Sequence, residues 1–96
     1  MTIQPLDRHL LISAMEGAYE NTKNQYRGYY MWELIYEMGK LSWMRGYSYS
    51  DVMKEILKFL KDGHGKGSRY SIEFLDSSLG TVYPKMKKIY FIPKNV

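Results

Sequence analysis

The sequence predicts an α+β domain in which three helices, at about residues 6–20, 25–45 and 49–62, precede a C-terminal antiparallel hairpin or small meander. Apolar residues recur at helical spacing as far as about Asp62. A glycine-rich stretch then intervenes, and beyond it apolar and polar residues alternate with a period of two. Ninety-six residues are expected to form one small globular domain. A chain of this size hides only about two-thirds of its unfolded surface, so its stability is expected to be modest.

The first helix begins near Pro5, whose missing N–H costs nothing at a helix start. Leu10, Leu11, Ala14, Met15 and Ala18 share one face. Ala14, Gly17 and Ala18 leave that face shallow, ready to receive the bulky side chains of the central helix. Glu16 and Glu20 stand one turn apart, as do Glu33 and Glu37. No histidine sits at ligand spacing beside either pair, so both are expected to be solvated and no metal site is expected.

Polar residues 21–25 separate the first helix from the second. Tyr26, Arg27, Tyr29 and Tyr30 open the central helix, and this mixture of Arg and Tyr has the composition of a binding surface. On a helical wheel Met31, Leu34, Ile35, Met38 and Leu41 form one stripe; Trp32, Tyr36, Gly39 and Trp43 form a second beside it. Glu33, Glu37, Lys40 and Met44 are left for the outer face. So wide an apolar arc predicts two packing partners, the domain's own core and something else. Gly39 weakens a helix by up to about 1 kcal/mol relative to Ala, which suggests close packing there. The two indoles are eleven residues apart, about 16 Å along a continuous helix, a span suited to a second helix.

Ser48 followed by Asp51 fits a capping box at the start of the third helix, with Tyr47 and Val52 placed as a hydrophobic staple. This helix should bury Val52, Met53, Ile56, Leu57, Phe59 and Leu60 and should present Lys54, Lys58 and Lys61 outward. The stretch from Gly63 to Arg69 is glycine-rich and basic but lacks Walker spacing and context. It is expected to be a linker whose backbone can approach an anion, with Lys66 and Arg69 assisting. Tyr70, Ile72 and Phe74 alternate with Ser71, Glu73 and Leu75 as a half-buried strand. Asp76–Gly80 reads as a turn, 81–83 as a short strand, and Ile89–Ile92 as a strand ended by Pro93.

Function is expected to be binding rather than catalysis. There is no cysteine, hence no disulfide, thiolate nucleophile or cysteine metal site. His9 and His64 are the only histidines, and no triad or zinc site assembles from these residues. No motif asks for a cofactor. The N-terminus lacks a signal-peptide core and no apolar run is long enough to span a bilayer, so the expectation is a cytoplasmic protein without a membrane partner. The net charge of +4 lies wholly in the second half: residues 49–96 carry nine basic and five acidic side chains, residues 1–48 five of each.

Two partners follow from these features. Ten tyrosines and two tryptophans exceed what so small a core needs, and such side chains are favoured at interfaces. They suggest a protein-binding inhibitor or adaptor, of the kind carried by viruses or mobile elements, that binds through Tyr26, Arg27, Tyr29, Tyr30, Trp32, Tyr36 and Trp43. A second copy of the chain would serve as well as a foreign partner. The alternative is nucleic acid. The order helix, helix, turn, helix, strand, strand resembles the outline of a winged helix-turn-helix, with Ser48–Asp62 in the recognition position. Lys54, Lys58, Lys61, Lys66 and Arg69 would then contact phosphates, without Asn, Gln or Arg on the outer helix face to read bases.

Overall fold

The computed structural model describes residues 5–62, 65–75 and 83–94. Three helices and a small antiparallel sheet form the predicted α+β architecture. Helix α1 spans Arg8–Thr22, α2 Met31–Met38 and α3 Tyr49–Asp62; strand β1 is Tyr29–Tyr30, β2 Tyr70–Leu75 and β3 Lys88–Pro93. The sheet order is β1-β3-β2, with both pairings antiparallel.

Helix α1 starts later than Pro5 because Asp7 caps it: the Leu10 amide donates to the Asp7 carboxylate at 2.8 Å. Leu6 precedes the cap and Leu11 follows it by four residues, and the two line one hollow as a hydrophobic staple. Leu11, Ala14, Met15 and Ala18 are buried as the wheel requires. The shallow stretch receives large side chains. A Cβ placed on Gly17 would lie 3.6 Å from Leu41 and 3.7 Å from the Trp43 ring.

The central helix is much shorter than 25–45. Tyr29 and Tyr30 are extended and pair with Ile89 and Lys88, and the ladder continues through the Met31 amide to the Lys87 carbonyl at 2.8 Å. Gly28 permits this approach, since a Cβ there would stand 2.6 Å from the Tyr90 ring. Glu33 then anchors the helix start by accepting the Tyr30 amide at 2.9 Å. The helix stops at Gly39, the last turn tightens, and Leu41 is extended before a 3-10 turn at Ser42–Met44. Gly39 therefore marks a helix end, and no partner closer than its own turn's carbonyls meets it. Because the chain turns there, Met44 enters the core at 3 % exposure instead of pointing outward.

At the start of α3 the Asp51 amide donates to Ser48 Oγ at 3.1 Å, the half of the expected capping box that the Ser48 hydroxyl supplies, with Tyr47 packed against the core and Val52 buried. Val52, Ile56, Phe59 and Leu60 are buried, while Met53 and Leu57 are half-buried at the margin. The three helices pack on one another. The sheet closes over them with Ile72, Ile89 and Phe91 inward, in the register Ile72 opposite Phe91 and Phe74 opposite Ile89. The C-terminal strands thus make no free wing; they take up Tyr29–Tyr30 as a third strand and seal the core. The predicted turn at 76–80, the first two residues of the short strand at 81–83, Gly63 and His64 lie outside the described residues. Tyr83 is exposed and leads into a 3-10 turn at Pro84–Met86.

Candidate functional site

Tyrosines fall into two populations. One is internal: Tyr19 stacks on Phe91 at 4.6 Å, Tyr70 meets Tyr19 edge-on at 4.8 Å, and Tyr26 stacks on Tyr29 at 4.7 Å. Tyr29 is 1 % exposed, its hydroxyl paired with Thr22 Oγ1 at 2.7 Å, and burial raises its pKa. The expectation of a surface at Tyr26–Tyr30 is corrected accordingly. Tyr29 is core, Tyr26 is half-buried with its hydroxyl donating to Glu37 at 3.2 Å, and Tyr30 is half-buried beneath the Lys88 ammonium at 4.3 Å; Arg27 alone is exposed. Tyrosine is amphipathic enough to fill a core wherever its hydroxyl finds a partner, which composition cannot show.

The second population is exposed. Trp32 is 44 % exposed, Tyr36 63 % and Tyr49 42 %, and these three line one open groove with Ile35, Gly39 and Lys40. Trp32 and Tyr36 come from successive turns of α2, and Tyr49 opens α3 across the groove. Lys40 lies 4.7 Å above the Tyr36 ring and bonds to Glu37 at 2.8 Å. That carboxylate raises the Lys40 pKa, and partial burial raises that of Tyr49. Tyr49 was missed in the sequence because it belongs to the helix start, off the central stripe.

Trp43 is 46 % exposed but stands elsewhere. With α2 ended at Met38, its indole lies over α1 and lines a different groove with His9, Glu16, Glu20 and Arg69. The predicted continuous stripe is therefore broken in two, and the C-terminal sheet covers neither indole.

The carboxylates expected to be solvated are structural. Glu16 is 7 % exposed, and one of its oxygens accepts the backbone amides of Ser68 at 2.8 Å, Arg69 at 2.9 Å and Tyr70 at 3.3 Å. The glycine-rich stretch does cradle an anion, and the anion is the protein's own. Glu20 accepts the Tyr70 hydroxyl and Lys23 Nζ, which lowers the Glu20 pKa and pushes that of Tyr70 up to about 12. Glu37 is 5 % exposed. Residues 65–69 are no linker: Ile72 N–H bonds to the Gly65 carbonyl at 2.6 Å, and Lys94 Nζ to the Gly67 carbonyl at 2.6 Å.

Lys54, Lys58, Lys61, Lys66 and Arg69 are all exposed. They are not gathered into one groove. Lys58 sits beside Asp7, Arg8 and Glu55 at the N-terminal end of α1, while Arg69 lies beside Glu16 and Glu20 along its later turns. No group of three or more His, Cys, Asp or Glu among the described residues is placed to hold a metal ion. No helix among them is long and apolar enough to cross a membrane.

No family model, curated protein or solved structure matches this chain. The chain is a small globular domain bearing a surface aromatic cluster suited to contact with another protein.

Proposed function

We propose that this chain is a non-catalytic binding protein, an inhibitor or adaptor, whose contact surface is the groove of Trp32, Tyr36 and Tyr49. The observation that carries this reading is the gathering of three large aromatics from two helices around one open groove, each at least 42 % exposed. Trp and Tyr supply large, stiff contact area and dominate interface energies. At their observed exposures the three rings leave roughly 300 Å² to be covered, on the order of 7 kcal/mol of gross burial before the costs of association. Left wet, such a cluster adds little to the stability of the free domain, and its area is available to a partner.

A photo-crosslinking residue at position 36, compared with one at position 58, tests this in the native lysate. Nuclease-resistant crosslinking to one protein from position 36, lost in the Trp32→Ala, Tyr36→Ala variant with its circular dichroism unchanged, is the expected result. The exposed lysines of α3 favour the alternative of a phosphate-contacting nucleic-acid binder. Nuclease-sensitive crosslinking from position 58 only would replace the first reading by that one.

A further inference from the structure

The groove beside Trp43 encloses about 610 Å³, the size of a small-molecule site, and its polar groups are unequally used. Glu16 lines it while only 7 % exposed. All three amides that hold this carboxylate converge on Oε2, so Oε1 has no hydrogen-bond partner among the described residues. No fully buried side-chain oxygen among them lacks a partner, so Oε1 keeps contact with solvent, and the groove is where Glu16 meets it. Glu20 is already committed. One of its oxygens accepts the Tyr70 hydroxyl and the other accepts Lys23 Nζ. The Arg69 amide stands 2.9 Å from Glu16, yet the exposed Arg69 guanidinium, on the same groove, makes no ion pair or hydrogen bond with any described residue. Trp43 supplies an apolar wall. It is 46 % exposed, backed by α1 at Gly17, and no other ring or cation covers it among the described residues.

Two opposite charges therefore face one groove without pairing with each other. A carboxylate oxygen only accepts and a guanidinium only donates, and a hydrogen bond with an ionised partner is about twice as strong as a neutral one. An occupant that satisfies both must carry a cationic donor and an anionic acceptor within one arginine side-chain length of each other, beside an apolar group for the indole. A lone cation would be repelled by Arg69, and a lone anion by Glu16. His9 and Ser13 also line the groove, but each can both donate and accept, so neither selects the sign of a ligand.

We infer that the groove beside Trp43 binds a free α-amino acid with an apolar side chain. Its ammonium donates to Glu16 Oε1, its carboxylate accepts from the Arg69 guanidinium, and its side chain lies against the indole. This site is separate from the Trp32–Tyr36–Tyr49 groove and does not depend on it.

The test is an NMR titration of the full ¹⁵N-labelled chain with L-phenylalanine, with 2-phenylethylamine, which lacks the carboxylate, with 3-phenylpropionate, which lacks the ammonium, and with maltose, a neutral polyol. Phenylalanine should shift the Trp43 indole signal and the amides of Ser68 and Arg69, and should bind at least tenfold more tightly than the other three. Trp43→Ala should weaken it tenfold or more, and Trp32→Ala not at all. Arg69→Gln should weaken phenylalanine tenfold without weakening 2-phenylethylamine. Glu16→Gln, its fold checked by circular dichroism, should weaken phenylalanine without weakening 3-phenylpropionate. A merely structural effect would weaken every ligand alike, and if Glu16→Gln does not fold, the Arg69→Gln titrations decide. Absence of saturable binding, binding of either analogue or of maltose as tight as that of phenylalanine, parallel losses for all ligands in Arg69→Gln, or shifts confined to the groove of Trp32 would each overturn the inference.

Discussion

Removing the Glu16 carboxylate should release the loop that joins α3 to the sheet. Three consecutive backbone amides, those of Ser68, Arg69 and Tyr70, converge on one Glu16 oxygen at 2.8–3.3 Å, and the residue is 7 % exposed. A hydrogen bond to a charged group contributes about 1.5–3 kcal/mol. Three bonds to one oxygen are not additive, and Ser68 and Arg69 are exposed enough for water to replace part of the loss. Glu16→Ala should therefore cost about 3 kcal/mol, roughly the upper worth of one such bond. Glu16→Gln keeps a carbonyl oxygen in the same place without the charge and should cost about half as much. For a domain of this size each kcal/mol moves the melting temperature by about 4–8 °C, so the alanine variant should melt about 12–24 °C lower. Urea denaturation measures the loss, and amide exchange locates it: protection at Ser68, Arg69 and Tyr70 should fall ahead of that at Ile72. A loss below about 0.5 kcal/mol, small enough for an ordinary surface substitution, with protection at these amides unchanged, would refute the reasoning.

Further outcomes follow from single sites. Ser48→Ala removes the acceptor of the Asp51 amide and should cost about 1 kcal/mol in denaturant midpoint at unchanged slope. Gly65→Ala combines a φ of +68° with a Cβ driven into the Ile72 carbonyl and should cost more than about 2 kcal/mol, read as melting temperature. The Tyr70 phenol donates to Glu20, and its pKa stands at about 12 against an ordinary 10. Because the folded value is raised, the stabilisation is complete below pH 10 and is lost as pH rises through about 12. The stability difference between the wild type and Tyr70→Phe should shrink across that window, and the phenolate absorbance missing from the variant should be the part that rises last.

Much of the fold was legible because its signals are local. The Ser48 cap, the apolar face of α3 and the alternation Tyr70–Ile72–Phe74 each depend on neighbours a few residues away, and the structure shows all three. Helical spacing also put Trp32 and Tyr36 on one face of α2, since an eight-residue helix suffices for that, but it left open whether that face is core or surface, and it placed Glu37 and Met44 outward where both are buried. What the sequence could not determine depends on residues distant in the chain. Tyr29–Tyr30 became a strand because Ile89 and Lys88 offered an edge sixty and fifty-eight residues later, and that pairing moved the start of α2 to Met31. Gly39 ended the helix and turned Trp43 onto Gly17, dividing an aromatic stripe that a continuous helix would have kept whole. Tyr49 joined the groove only when α3 packed beside α2. Glu16 illustrates the reason most plainly. At helical spacing from Glu20 it reads as a solvated carboxylate, but three amides from a loop fifty-two to fifty-four residues away make burial favourable. Periodicity reports which side chains share a face, whereas the hydrogen-bond partners that decide whether a polar face can be buried are supplied by tertiary packing.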